Sequence, residues 1–304
     1  MTTDTPNPRL PVLLAVACYF IWGVVPLFYA PIHAFGGGAI EIIAHRSVWA
    51  FAWAGGLVLA TRQWPEVKAA LANAYLRWML LVTSLLVATN WGVYVWAVTN
   101  GHTIESALGY YLNPLLNMAA GAMLFRERID TWGKTAIGLA VIGVAIQAAA
   151  IGQVPWVALM LAASFGSYGI LRKQTQVPAL TGLFIECAYL FLPAVIYLGW
   201  FEATGQGHFF RVPHGGLPNM VWFLLTGPVT VLPLALFGFV ARRLPLSTLG
   251  FVQFISPALT FLIGLWQGEP FGTMRAVSFA FIWLGAAVFA FGAWRRVRIL
   301  KAAT

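Results

Sequence analysis

Residues 76–99 read LRWMLLVTSLLVATNWGVYVWAVT, with a single charge, Arg77, near the start. Apolar side chains occupy every face of this segment, so neither a one-sided amphipathic helix nor an alternating strand describes it. A bilayer core about 30 Å thick takes roughly 20 such residues as a helix, and this stretch is long enough to cross. Runs of the same kind fall at about 10–30, 39–61, 106–125, 131–150, 154–171, 179–200, 219–241, 246–266 and 274–294, which makes ten with 76–99. Membrane barrel strands would be about 10 residues long with strict alternation. The predicted fold is therefore an all-α integral membrane protein of ten transmembrane helices with short connections.

The composition agrees. Of 304 residues, 60% are hydrophobic and only 9% are Asp, Glu, Lys or Arg, against roughly 25% charged in an ordinary soluble domain. Disorder requires the opposite balance. Residues Met1–Arg9 are polar and Ala15-Val16-Ala17 has a cleavage-like spacing. Only about five apolar residues precede it, short of the 7–15 of a signal core, so the first run is expected to be retained. Cys18 and Cys187 fall inside runs, which points to buried, unreactive thiols rather than a disulfide.

The net charge of +9 would suggest nucleic acid in a soluble protein. Sorted by connection, however, fifteen of the 18 Lys and Arg residues fall on one side of a ten-helix layout. Arg211 and Arg275 alone fall on the other, and Arg46 lies within a run. That asymmetry places both termini in the cytoplasm and reads the charge as a topology signal, with lipid and no nucleic acid as the surroundings.

An internal duplication is visible. Ser106-Ala-Leu-Gly109 leads to Asn113-Pro114 and then Glu127, and Ser247-Thr-Leu-Gly250 leads to Ser256-Pro257 and then Glu269. The match equates the fourth run with the ninth, hence residues 1–150 with 151–304. Five helices per copy is odd, so the second copy is inverted in the membrane, an architecture of transporters with a site near the midplane.

Ionisable groups inside lipid are costly and default to functional candidates. Glu41, His45 and Arg46 lie early in the second run, with His45 and Arg46 about 9–10 Å into the helix at 1.5 Å per residue. Glu186 occupies the related position in the seventh run, which invites a direct or substrate-mediated ion pair with His45 or Arg46. A structural clamp between the halves is the alternative. Glu186 is also the candidate proton carrier. Ser106, Tyr110, Asn113 and Asn117 share one helical face, beside Pro114, which removes a backbone N–H. Asn90 and Tyr94 with Trp91 and Trp96, Tyr19 and Trp22 with Pro26 and Tyr29, and Gln253, Ser256 and Thr260 with Pro257 complete the set. Together they are expected to line a wet, aromatic cavity formed by the first, third, fourth, sixth, eighth and ninth runs, or else to bond helix to helix. Trp64, Trp78, Trp132 and Trp294 read as interface anchors.

No cofactor is implied. Gly133-Lys134-Thr135 resembles the end of a phosphate loop, but Arg128 stands where its first glycine belongs. Glu41 and His45 lack a third metal ligand. No connection is long enough for a nucleotide-binding domain, so energy would come from a gradient. An intramembrane enzyme would need a nucleophile and base, and the nearest pair, His45 and Ser47, diverges around the helix. A non-transporting partner or sensor subunit is the other alternative.

These residues resemble the drug/metabolite transporter superfamily, specifically its EamA-type, RarD-like chloramphenicol-sensitivity permeases. The resemblance spans nearly the whole chain. It rests on Glu41…His45-Arg46, Asn90-Trp91…Trp96-Ala97-Val98 and Glu105-Ser-Ala-Leu-Gly-Tyr110 with Asn113-Pro114-Leu115. It continues through Glu127-Arg128, Arg172-Lys173, Glu186, Ser247-Thr-Leu-Gly250-Phe251, Gln253, Pro257 and Glu269. It implies ten helices in two inverted repeats in the bacterial inner membrane, with alternating access and no ATP hydrolysis. The expected cargo is a small solute, zwitterionic or amide-bearing, such as an amino-acid-like metabolite or a chloramphenicol-like compound.

Overall fold

A computed structural model describes residues 9–125, 130–211, 218–240, 243–244 and 246–302. Glu127, Arg126, Arg128 and Arg242 lie outside the described residues, as do the side chains of Asn117 and Ser247. Among the described residues all regular structure is helical. The order is α1 (Arg9–Ala34), α2 (Ala39–Ala60), α3 (Trp64–Ala72), α4 (Ala74–Thr99), α5 (Thr103–Phe125), α6 (Thr131–Ile151), α7 (Trp156–Thr175), α8 (Ala179–Ala203), α9 (Asn219–Val240), α10 (Leu246–Val252), α11 (Ile255–Trp266) and α12 (Thr273–Ala302).

Seven of these helices, α1, α2, α4, α6, α8, α9 and α12, are long and apolar enough to cross a membrane. The remaining apolar runs fall on α5, on α7 and on the α10–α11 pair. Helix starts are set by local chemistry. Asn73 Oδ1 accepts from the Leu76 N–H at 3.2 Å to begin α4, and Asp130 Oδ1 accepts from the Gly133 N–H at 2.9 Å to begin α6. Gly152, at φ 76°, ends α6 in the left-handed conformation that glycine adopts without a Cβ clash.

Two features depart from ten uninterrupted runs. Short α3 lies between the second and third. The ninth run breaks at Gln253-Phe254, because Pro257 has no N–H to give the carbonyl four residues back, which is that of Gln253. That carbonyl instead accepts from the Ser256 N–H at 3.3 Å. The break therefore sits between the two polar residues that the sequence offers there.

Helices pack in a paired pattern. α6 lies against α12 and α2 against α8; α1 contacts α9 and α11, while α7 contacts α4 and α5; α2 meets α9 as α8 meets α4; and α5 meets α11. Exchanging the two halves of the chain carries this set of pairs onto itself. Small residues allow some of the closest approaches. A Cβ on Gly109 would stand 2.8 Å from the Ala158 carbonyl oxygen of α7, and one on Gly143 would stand 2.9 Å from that of Ser278 on α12. Ser278 Oγ donates to the Gly143 carbonyl at 2.7 Å across the same contact. Cys18 and Cys187 are buried, unpaired thiols. Large apolar side chains such as Leu85, Leu192, Ile196 and Trp266 point outward, as lipid contact requires.

Candidate functional site: a central aromatic cavity with one buried cation

A cavity of about 160 Å³ lies between the helices. From the first half, α1 contributes Tyr19, Trp22, Val25 and Tyr29, α2 contributes Arg46, α4 contributes Val87, Asn90, Trp91 and Tyr94, and α5 contributes Tyr110. From the second half come Phe165 and Tyr168 of α7, Leu183 of α8, and Val229 and Leu234 of α9. The break between α10 and α11 supplies Gln253, and the first turn of α11 supplies Ser256 and Pro257. Among the described residues, none of the lining comes from α6 or α12, which pack on each other.

The periodicity of the sequence explains the lining on α1 and α4. Tyr19, Trp22 and Tyr29 follow one face of α1, and Tyr19 and Trp22 meet edge to face at 5.5 Å. Val87, Asn90, Trp91 and Tyr94 follow one face of α4. Asn90 is fixed on both ends of its amide. Its Nδ2 donates to the Leu161 carbonyl and to Ser164 Oγ, both at 3.1 Å, and its Oδ1 accepts from Tyr110 Oη at 3.1 Å. One residue thus ties α4, α5 and α7 together at the cavity wall.

Arg46 is 9% exposed. Its Nη1 donates to Tyr29 Oη at 3.2 Å, and its guanidinium lies 4.0 Å over the Trp91 ring. Its Nε–H has no acceptor, and no carboxylate lies within ion-pair distance among the described residues.

Glu186 is fully buried and is placed against Arg172 rather than Arg46. Its Oε1 lies 3.5 Å from Arg172 Nε and accepts from Thr83 Oγ1 at 2.7 Å, while its Oε2 accepts from Tyr168 Oη at 3.1 Å. Arg172 also reaches Thr175 Oγ1 at 3.1 Å, near the turn between α7 and α8. The cluster lies between the cavity and that turn, and Tyr168 belongs to both.

Glu41 and His45 are placed away from the cavity, toward the other end of the bundle. Glu41 accepts from the His208 N–H at 2.8 Å, and its other oxygen lies 2.9 Å from His208 Nδ1. The two contacts hold the segment after α8 against the start of α2. His45 stacks on Phe209 with centroids 4.8 Å apart and accepts from Trp49 Nε1 at 3.3 Å, leaving its Nε2 without a partner. Consecutive residues on a helix point about 100° apart, so Arg46 can face the cavity while His45 faces α9. Asn113 is buried with its Oδ1 unpartnered and does not line the cavity.

Of the residues singled out from sequence, the structure brings together Tyr19, Trp22, Arg46, Asn90, Tyr94, Tyr110, Gln253 and Ser256. Sequence reasoning missed Thr83, Phe165, Tyr168, Arg172 as an internal ion-pair partner, and His208. Thr83 does continue the Val87–Asn90–Tyr94 face of α4, and Phe165, Tyr168 and Arg172 share a face of α7. Arg172 stood at the end of an apolar run and counted as a loop charge.

A bundle of long apolar helices around a polar-aromatic cavity defines a multi-pass helical membrane protein. Relatives place it more narrowly. The chain is 41% identical over 295 residues to an uncharacterized transporter of Vibrio cholerae, covering 95% of this chain and 94% of that protein. It is 39% identical over 287 residues to protein RarD of Escherichia coli, covering 94% and 95%. It is 31% identical over 270 residues to the chloramphenicol-sensitive protein RarD of Pseudomonas aeruginosa, covering 86% and 87%. The chain belongs to the RarD-like permease family, and several of its relatives are named as uncharacterized transporters. No family model matches it. One solved crystal structure, 19% identical and covering 94% of this chain and 98% of its own, superposes with a TM-score of 0.59 and shares the fold.

Proposed function

We propose that the protein is an EamA-type secondary transporter that moves a small organic solute across the bacterial inner membrane by alternating access. In this reading the apolar runs make ten crossings, with α10 and α11 together forming the ninth. Residues 1–150 and 151–304 are inverted copies, and both termini are cytoplasmic. The observation that carries the proposal is the cavity between the helices, lined from both halves. The self-matching set of helix pairs supports the two copies, and a discontinuous helix beside a cavity is a recurring device of such carriers. Glu186 is the proton carrier in this reading. It is buried, and Tyr168 links it to the cavity wall.

The experiment is solute counterflow in proteoliposomes of the purified protein. Saturable exchange of any solute that binds the protein is the expected result. Binding without exchange, for every solute that binds, would overturn transport and leave a sensor or partner subunit as the reading. Cysteine accessibility at both ends of each helix tests the ten crossings separately.

A further inference from the structure

Arg46 is the one formally charged residue lining the central cavity among the described residues. Holding a cation in low dielectric is costly unless a counter-charge and hydrogen bonds compensate. Here the recorded compensation is one tyrosine hydroxyl and one aromatic face. A guanidinium carries five N–H donors in a planar fork that matches a carboxylate. The nearby acids are committed elsewhere, Glu41 to His208 and Glu186 to Arg172. The rest of the wall is mostly apolar and aromatic, and it presents no carboxylate to a ligand ammonium group.

We propose that the cavity is an anion site, taking a small organic acid with a flat apolar body. Its carboxylate pairs with the Arg46 fork and its body lies against Trp22, Tyr94 and Phe165. This departs from the zwitterionic or amide-bearing solute expected from sequence, because a zwitterion would find no counter-charge for its ammonium group in the described lining. A neutral amide would leave the guanidinium without a counter-charge. A charge-assisted, two-pronged contact is about twice as strong as a neutral hydrogen bond, so the acid is favoured over an isosteric amide. The proposal rests on the cavity being the solute site, as in the transporter reading.

The test is equilibrium binding to the purified full-length protein in detergent. Three probes share one ring and spacer and differ in charge: phenylacetate, phenylacetamide and phenethylamine. Phenylacetate is expected to bind at least about tenfold more tightly than either analogue. Arg46→Gln is expected to remove that preference, and Arg46→Lys, which keeps the charge, to retain an acid preference at reduced affinity. If Arg46→Gln does not fold, the ranking of the three probes on the unaltered protein and on Arg46→Lys decides. Equal binding of the amide or the amine, an unchanged preference in Arg46→Gln, or no binding by any of benzoate, phenylacetate and 3-phenylpropionate would overturn the proposal. Tight binding of the acid without counterflow in proteoliposomes would count against transport and leave the anion site standing.

Discussion

Tyr168 donates its hydroxyl to Glu186 at 3.1 Å while its side chain forms part of the central cavity wall. A solute that displaces the Tyr168 ring must therefore disturb a hydrogen bond to a buried carboxylate paired with Arg172. If Glu186 changes charge during transport, that side chain would link the change to occupancy of the cavity.

Replacing Glu186 with Gln keeps the shape and removes the proton-binding group. If Glu186 carries the coupled proton, the variant loses the pH dependence of net transport while solute exchange at equal pH persists. Uptake measured across a pH series in proteoliposomes checks this. An unchanged pH dependence would remove Glu186 from the coupling role.

The same substitution leaves Arg172 without its counter-charge. Breaking one side of a buried pair costs about 3–5 kcal/mol, so Glu186→Gln is expected to melt well below the unaltered protein. The double variant Glu186→Gln/Arg172→Gln recovers part of the loss. Thermal melting of all three proteins reads the difference, and strictly additive losses would contradict the pairing.

Thr83→Val preserves volume and deletes the hydroxyl that donates to Glu186 at 2.7 Å. A buried hydrogen bond to a charged group is worth about 1.5–3 kcal/mol, so a loss in that range is expected. Ser84→Ala is the comparison, since among the described residues Ser84 bonds only the Leu81 carbonyl of its own helix. Similar melting of the two variants would show that the Thr83 contact has no special weight.

Glu269 accepts from the N–H groups of Thr103 and Ile104 at 2.5 and 2.9 Å, which caps α5 with a carboxylate from beyond α11. Donors at a helix start favour negative charge. Glu269→Ala is expected to cost about 1–2 kcal/mol and to speed amide exchange in the first turn of α5. Glu269→Gln, which keeps an acceptor oxygen, should cost less. Hydrogen exchange of peptides spanning residues 100–110 measures both.

Much of the site was legible because membrane helices expose their exceptions. The Asn90–Tyr94 and Tyr19–Trp22 spacings alone sort those residues onto shared faces. The break at Gln253-Phe254 is not expected from the sequence, where residues 246–266 read as one continuous run. Position within a run was also a poor guide to partners. Glu41, His45 and Arg46 are neighbours in sequence, yet Glu41 holds His208, His45 stacks on Phe209, and Arg46 alone lines the cavity.

The chain's apolar runs specify helices and a lipid setting without help, because each run must satisfy its backbone internally once water is absent. The duplicated Ser-x-Leu-Gly and Pro elements likewise suggest paired halves from local pattern alone. The identity of each buried charge's partner is a different kind of fact. Arg172 and Glu186 lie on consecutive helices, and they meet near the short connection between α7 and α8, both of which pack on α4. Packing between helices distant in sequence sets which charge is neutralised and which faces the cavity. Periodicity along one helix carries no information about the rotation of its neighbour.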